Sequence, residues 1–306
     1  MKLVVLIIVL FLKTFWVSAQ TTRGIVVDEN DKPIPYVNIW VENGSMGTTA
    51  EEDGRFSLDL KEKEKNLIFS ALGFETKTVA VSAVEKVVLK SVAIALEEVV
   101  IKKNKEQLKK EIGHYESGGF RYHMGYFTDG IYFNISPEER EKYPFIKEVK
   151  FKTLSENKNA KIRIYFVEAN EDGSPSERAL TDEIILEVKK GNSKNVIDLS
   201  ERKITIPEKG FFIVFEKLKI DQNKHYVDYY SKDKNGKKHT YKGMSYEPEI
   251  PLVPIEDAVG WHKRVNNDWE KSTKTTIQNP NGFENILMKK YHNKYLVPAV
   301  NITLCN

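Results

Sequence analysis

Cysteine is almost absent from this sequence, and its scarcity excludes several architectures. Cys305 is the single cysteine among 306 residues, so no disulfide can form within the chain. Disulfide-dense folds, which stabilise many small secreted domains, are therefore excluded. A zinc site with four cysteine ligands is excluded as well. Cys305 follows the run Val300–Leu304, and we interpret it as a packing residue at the end of a strand.

The chain also lacks an excess of charge of one sign. It has 47 lysines and arginines against 44 aspartates and glutamates, which gives a formal net charge of +3. Nucleic-acid-binding proteins concentrate positive charge on one face, and this near balance gives no reason to expect such a partner. We interpret the lysine pairs at 237–238 and 289–290 as solvated faces of strands and loops.

Long apolar runs are missing outside the N-terminus. Leu3–Leu12 is uninterrupted and apolar, follows Lys2, and precedes the small residues Val17-Ser18-Ala19. This three-part pattern is typical of a secretory signal peptide, and the run is shorter than the roughly 20 residues that cross a membrane. We predict a signal peptide over residues 1–19, export of the chain, and no transmembrane span in the mature part.

Motifs for catalysis are sparse. The six histidines show no catalytic spacing. A metal site at His114 and His123 is conceivable because imidazole is a common ligand, but no further ligand accompanies them and a loop or strand edge is favoured. Gly243-Met244-Ser245 lacks the second glycine of a nucleophile elbow. A carboxylate pair for glycoside cleavage stays open, because the separation of such a pair is spatial.

We therefore assign no catalytic, cofactor-binding or metal-binding residue, and we expect a protein that is not an enzyme. The remaining histidines are scattered among lysines and aromatic residues, and we predict them on exposed loops; they are His225, His239, His262 and His292.

Short strands separated by turns follow one another from Arg23 to Lys90. Val37, Ile39 and Val41 recur at every second position, as in a strand with one buried face. The pairs Asn43-Gly44 and Asp53-Gly54 are strong turn signals after such runs. About seven short strands at this spacing predict a small β-sandwich.

Four segments of this region are similar in order and spacing to the carboxypeptidase-regulatory-like domain. They are Gly24–Asn30, Pro33–Ile39, Gly47–Leu58 and Ile68–Phe74. The resemblance implies a seven-stranded, transthyretin-like Greek-key sandwich over residues 20–90. It also implies a non-catalytic domain of the kind that precedes the plug of TonB-dependent outer-membrane receptors. From it we expect an exported cell-envelope protein that is periplasmic or associated with the outer membrane.

Residues 91–113 are predicted to be a linker. Leu96–Ile101 resembles the short strand that follows this domain in the receptors, and the basic stretch Lys102–Lys110 indicates a solvated connection. A receptor would also need a plug and a large barrel of alternating segments. Residues 114–306 are too few for both, so we do not expect a transporter.

Residues 114–306 predict a second, larger sandwich. Ile162, Ile164 and Phe166 recur at every second position, and the apolar run Phe211–Phe215 predicts a buried central strand. Tyr295–Leu304 predicts a closing strand. Two packed antiparallel sheets in a jelly-roll-like arrangement fit this pattern best, which makes the whole chain all-β.

Three functions stay open at this point. The favoured one is binding or scaffolding of an envelope protein partner, for which exposed strand edges could serve. The second is a surface carbohydrate-binding module, which requires exposed aromatic rings on one face of the second domain. The third is an enzyme with a polar pocket. Five aromatic residues in polar regions are either exposed for binding or buried in the sandwich; they are Tyr226, Tyr229, Tyr230, Trp261 and Trp269.

Overall fold

The computed structural model describes residues 20–42, 44, 46–60, 66–92, 108–115, 128–232, 236–263, 268–276 and 291–306. The predicted signal peptide and the segment Leu96–Ile101 lie outside these residues. Strands dominate the described chain, which confirms the predicted all-β class. Within these ranges no helix is both long enough and apolar enough to cross a membrane.

The described residues up to position 92 form a first sandwich of seven strands. These are β1 (Gln20–Val27), β2 (Asn38–Val41), β3 (Gly47–Thr49), β4 (Arg55–Leu60), β5 (Asn66–Ser70), β6 (Lys77–Ala80) and β7 (Lys86–Val88). One sheet has the order β4-β1-β7 and the other the order β3-β2-β5-β6. Strand β1 pairs antiparallel with β4 and parallel with β7.

The core of the first sandwich follows from alternation along its strands. In β4, Phe56, Leu58 and Leu60 are buried while the residues between them are exposed. Phe56 meets Phe69 of the facing sheet edge to face, with ring centroids 5.6 Å apart. Burial of each such side chain contributes about 1.5–3 kcal/mol to stability.

The turn from β3 to β4 depends on Gly54, as the Asp-Gly pair predicts. Its φ is +76°, and a Cβ atom there would lie 2.6 Å from the Val26 carbonyl oxygen. The Asp53 carboxylate accepts a hydrogen bond from the Arg55 backbone N–H at 3.0 Å, which closes the turn. Only glycine combines this backbone conformation with so close an approach.

The rest of the described chain forms sixteen strands, one short α-helix and one turn of 3₁₀ helix at Asp221–Asn223. The strands are β8 (Lys109–Gly113), β9 (Thr128–Phe133), β10 (Phe145–Ser155), β11 (Ala160–Ala169), β12 (Pro175–Ala179), β13 (Ile184–Val188), β14 (Gly191–Asp198), β15 (Ile204–Thr205), β16 (Phe211–Lys217), β17 (Lys224–Lys232), β18 (Lys238–Tyr246), β19 (Leu252–Ile255), β20 (Gly260–Lys263), β21 (Trp269–Lys271), β22 (Tyr295–Pro298) and β23 (Val300–Cys305). The helix is α1 (Pro137–Lys142), and the Ser136 hydroxyl caps it.

Two large sheets face each other in this part. One has the order β14-β10-β23-β8 with β15 added to β10, and the other has the order β12-β11-β16-β9-β20-β21 with β13 added to β11. The predicted central strand is confirmed, because β16 lies between β11 and β9. Phe211 and Phe215 face the core between the sheets, whereas Phe212 and Val214 are buried on the opposite face. Burial on both faces explains why this strand is continuously apolar.

Two segments differ from the sequence prediction. Strand β8 pairs with β23 although it falls inside the predicted linker. It is an edge strand in which Ile112 packs on the core beside charged neighbours, so its composition resembles that of a linker. The predicted closing strand Tyr295–Leu304 is divided in two, because β22 pairs with β19 whereas β23 pairs with β10 and β8.

Candidate functional site

The first sandwich packs against the outer face of the seven-stranded sheet. Leu72 contacts the apolar cluster on that face, which includes Tyr165 of β11. Beside it, Tyr36 of the first sandwich forms a buried cluster with Leu218 and Ile220, which follow β16. The two sandwiches therefore share a buried contact.

A buried arginine forms the polar centre of this contact. The Arg163 side chain is 3% exposed, and its Nη1 donates to Glu216 Oε1 at 3.0 Å. Its Nε lies 3.0 Å from Glu183 Oε2, and its Nη2 donates to the Tyr36 carbonyl. Asn38 of the first sandwich donates to the same Glu216 oxygen at 2.6 Å. We call these five residues the interdomain joint.

The joint pairs a buried arginine with two carboxylates of the second sandwich. Burial by itself would lower the pKa of Arg163, but the Glu216 and Glu183 carboxylates raise it. Burial raises the pKa of Glu183, and the positive charge of Arg163 lowers it. Charges that are paired and hydrogen-bonded can be buried, whereas loss of one partner is strongly destabilising. The arrangement therefore ties the position of one sandwich to the other.

Further hydrogen bonds extend the contact along the end of β16. The Lys219 backbone N–H donates to Thr49 Oγ1 at 3.0 Å. The Glu51 carboxylate accepts from the Asp221 backbone N–H at 2.8 Å, and Lys161 donates to Glu52 Oε2 at 2.8 Å. Strand β3 and the loop after it thus lie against the segment that leads from β16 to β17.

That segment forms the base of a projecting hairpin. Asn223 is fully buried, and its Nδ2 donates to the carbonyls of Lys161 and Leu218 at 2.7 and 2.9 Å. Its backbone carbonyl accepts from the Glu247 N–H at 2.8 Å, directly after β18. The two ends of the hairpin are therefore bonded to each other and to β11, next to the contact with the first sandwich.

The hairpin consists of β17 and β18, which within the described chain pair only with each other. Tyr226 lies opposite Met244, and Tyr230 lies opposite Thr240. Because successive side chains alternate between faces, Tyr226, Tyr230 and Met244 share one face and Tyr241 lies on the other. We call residues 224–246 the tyrosine hairpin.

The tyrosine hairpin concentrates exposed apolar surface. Seven large hydrophobic residues are exposed in the described part of the chain, and four of them lie on this hairpin. They are Tyr226 (69% exposed), Tyr230 (67%), Tyr241 (55%) and Met244 (48%). Clustered exposed apolar side chains mark interaction sites, whereas single ones need no explanation.

The tyrosine hairpin also concentrates positive charge. Its sequence contains six lysines and two aspartates, a balance of +4 in a chain whose total is +3. The Lys238 Nζ lies 4.2 Å from the centre of the Tyr230 ring, within reach of a cation–π interaction. Cationic and aromatic groups are therefore interleaved on the face that carries Tyr230.

The aromatic residues singled out from the sequence divide into two groups. Tyr226 and Tyr230 are exposed, and the Tyr229 side chain lies outside what the structure describes. Trp261 and Trp269 are half-buried and pack with the cluster on the outer face of the seven-stranded sheet. Sequence reasoning missed Tyr241 and Met244. The signal that could have found them is the Asn235-Gly236 pair in the sequence, which predicts a hairpin and therefore a strand over these residues that pairs with β17.

The histidines do not form a site among the described residues. No group of three or more potential metal ligands occurs there; His114 is half-buried just after β8, and His123 lies outside those residues. The prediction of exposed loops is wrong for His225 and His239, which are half-buried on β17 and β18. It is also wrong for His262, which is 6% exposed on β20 with its Nε2 3.6 Å from Glu270 Oε2. Pairing of β20 with β9 buries this residue, and a four-residue strand has no clear periodicity in the sequence.

Comparison with known proteins identifies the first sandwich. Residues 22–101 match the CarboxypepD_reg-like domain family. The predicted resemblance is confirmed, and the chain carries this domain at its N-terminal side.

Two TonB-dependent receptors are similar to part of this chain. A receptor of Formosa agariphila is 31% identical over 112 residues, which cover 35% of this chain and 11% of the receptor. The receptor SusC of Bacteroides thetaiotaomicron is 32% identical over 81 residues, which cover 26% of this chain and 8% of the receptor. The chain thus spans about a tenth of the length of these relatives.

One similar solved structure is a proposed carbohydrate binding protein of Bacteroides uniformis. It covers 74% of this chain and 98% of its own, at 9% identity and a TM-score of 0.18. A TM-score of this size does not establish a shared fold.

Proposed function

We propose that this chain is a non-catalytic, envelope-associated binding protein that holds a protein partner on the tyrosine hairpin. Similarity of part of the chain to TonB-dependent receptors supports a place in the cell envelope. In this proposal the first sandwich braces the second at the interdomain joint, and the hairpin that emerges beside the joint is the binding element.

The observation that carries the proposal is the exposure of Tyr226, Tyr230 and Met244 on one face of the hairpin. Tyrosine and methionine are enriched where proteins bind each other, because they bury much apolar area while a hydroxyl or a flexible thioether adapts to the partner. The outer edges of β17 and β18 are also unpaired within the described chain. Such edges can accept a strand of a partner.

The charge of the hairpin indicates the chemistry of the partner. A local balance of +4 favours an acidic surface and disfavours a second copy of the same hairpin. Electrostatic attraction of this kind accelerates association and weakens as salt screens it over about 10 Å at 0.1 M. We therefore expect an acidic protein surface with an apolar centre.

Site-specific cross-linking tests the proposal. A photoreactive amino acid is placed at Tyr230 in one protein and at Val196 in a matched control, since Val196 is 57% exposed on β14. After irradiation in intact envelopes we expect a defined protein adduct from position 230 and none from position 196. Adding Tyr226→Ser and Met244→Ser should reduce the adduct. Equal labelling from both positions, or no protein adduct from position 230, would refute partner binding at the hairpin.

A further inference from the structure

The outer face of the seven-stranded sheet carries a second candidate site, away from the tyrosine hairpin. On this face, the first sandwich covers the end of the strands that holds Arg163 and Glu216. Tyr132 of β9 and Trp261 of β20 lie further along the strands, toward the other end. Both rings are half-buried and pack on Phe212, which is fully buried. The centroid of the Tyr132 ring lies 5.1 Å from that of Phe212. The centroid of the Trp261 ring lies 6.3 Å from that of Phe212, with the two ring planes at 90°.

These contacts hold the two rings in place before any ligand arrives. The Tyr132 hydroxyl donates to the Lys209 carbonyl at 2.7 Å, which fixes the far end of that ring. Trp261 is opposite Gly130 in the β9–β20 pair and opposite Lys271 in the β20–β21 pair. Rings fixed by the scaffold lose little conformational entropy on binding, which favours their use as a recognition surface.

The two rings line a cleft of about 560 Å³. This volume lies within the range of small-ligand sites, about 300–1,000 Å³. The ends of β8 and β9, helix α1, the turn at Asp172-Gly173, segment 258–261 and β21 surround it. A Cβ on Gly173 would meet no atom within 4 Å, so the space beside this lining residue is open.

Polar groups complete the lining. Asn134, Asp172 and Lys271 are exposed in the cleft, and His114 is half-buried there. The Ser174 hydroxyl and backbone N–H donate to Asp172 Oδ1 at 2.6 and 3.0 Å, and these bonds lower the pKa of Asp172. The cleft thus offers an ionised acceptor, an ammonium donor and an amide that both donates and accepts.

The balance of these groups selects a class of ligand. Glu139 in the lining is paired with Lys110, and Asp172 is balanced by Lys271, so the cleft has little net charge. An anionic or cationic ligand would gain little there, and a purely apolar one would leave the polar groups desolvated. A sugar ring instead has apolar C–H faces that pack on aromatic rings and hydroxyl edges that donate and accept hydrogen bonds. We infer that this cleft binds a neutral saccharide.

Calorimetric titration tests the inference with named probes. Maltohexaose, cellohexaose, laminarihexaose, xylohexaose and mannohexaose are added to the full chain up to about 1 mM, where a ligand of about −4 kcal/mol half-fills a site. We expect at least one to bind and to change the tryptophan fluorescence, because Trp261 lies in the cleft. Trp261→Ala should weaken that binding at least tenfold, and Asn134→Ala, an exposed position, should weaken it without affecting folding.

The hairpin variant Tyr226→Ser/Tyr230→Ser is the matched control, since it also removes aromatic rings but lies outside the cleft. It should bind the saccharide like the wild-type protein. Failure of all five probes to bind the wild-type chain, or binding that survives both Trp261→Ala and Asn134→Ala in proteins with unchanged circular dichroism, would overturn the inference. Partner binding at the hairpin has its own readout, the cross-link at position 230, so either idea can fail alone.

Discussion

Arg163 of β11 and Glu216 of β16 form an ion pair at 3.0 Å that the first sandwich covers, leaving the two side chains 3% and 6% exposed. Asn38 donates to the same Glu216 oxygen, and the Tyr36 carbonyl accepts from Arg163. The pair belongs to the second sandwich, but its burial and two of its hydrogen bonds come from the first. We therefore expect the two sandwiches to unfold as one unit.

Loss of Arg163 should be costly. Arg163→Met leaves Glu216 buried and Glu183 half-buried without the cation between them, so we expect the free energy of unfolding to fall by about 3–5 kcal/mol. Arg178→Met is the matched control. Its 3.3 Å contact with Glu168 involves an arginine side chain that is 51% exposed, and we expect a loss of about 0–1 kcal/mol. Urea denaturation measures both, and equal losses would contradict a structural role for the joint.

The exposed tyrosines should contribute to binding and not to folding. Replacing Tyr226 and Tyr230 by serine should change the free energy of unfolding by no more than about 0.5 kcal/mol for each residue, as at other surface positions. Phe212→Ala, which removes a fully buried ring, should cost about 3–5 kcal/mol. Thermal unfolding compares the variants. A large loss from the tyrosine variants would mean that the hairpin face packs on the chain itself.

Two glycines with the same backbone conformation should respond differently to a methyl group. Gly54 has a φ of +76° and Gly173 a φ of +78°. A Cβ at Gly54 would lie 2.6 Å from the Val26 carbonyl oxygen, whereas one at Gly173 would meet nothing within 4 Å. Gly173→Ala should cost about 1 kcal/mol for the positive φ alone, and Gly54→Ala should cost clearly more. Urea denaturation of both variants gives the difference, and equal costs would show that the backbone at Gly54 shifts freely.

Asp129 should make stability depend on pH between about 4 and 6. Burial raises the pKa of Asp129 from 3.8 to about 6, with Lys217 lowering it and Glu249 raising it. In this window the folded state holds a proton that the unfolded chain has lost, so the free energy of unfolding increases as the pH falls from 6 toward 4. Asp129→Asn should flatten this slope and stabilise the protein at pH 7.

Asp198 provides the control for that measurement. Hydrogen bonds from Ser200 lower the pKa of Asp198, so any contribution it makes to stability is lost only as the pH falls below its ordinary value of 3.8. Asp198→Asn should therefore leave the slope between pH 4 and 6 unchanged. Urea denaturation across pH 4 to 7 compares the three proteins, and an Asp129→Asn profile as steep as the wild type would contradict the assignment.

Periodicity predicts the strands well where one or both faces are buried. The alternation of Phe56, Leu58 and Leu60 and the continuous apolar run of β16 both match the structure. Strand β8 escapes prediction because a single residue, Ile112, faces the core. A buried side chain every second position is a signal, whereas one buried side chain among charges is not.

The proposed binding surfaces could be predicted only in part. Tyr226 and Tyr230 stand out in the sequence, but exposed and buried tyrosines have the same pattern until their neighbours in space are known. Arg163 gives no signal at all, since a charged residue in an alternating strand usually faces water. Its burial results from docking of the first sandwich, and the contacts that cover it come from residues more than 120 positions earlier in the chain.

The place of β23 has a consequence for how the chain folds during synthesis. This strand, the last one that the structure describes, lies inside its sheet with β10 on one side and β8 on the other. The sheet therefore cannot close until residues up to Cys305 have been synthesised, and β8 and β10 must wait for a neighbour that lies much later in the chain. The first sandwich has no such delay, because all seven of its strands lie within residues 20–88 and domains generally fold as units during translation. The surface around Tyr36 and Asn38 can therefore be folded before β11 and β16 form. Arg163 and Glu216 then dock against a surface that already has its final structure.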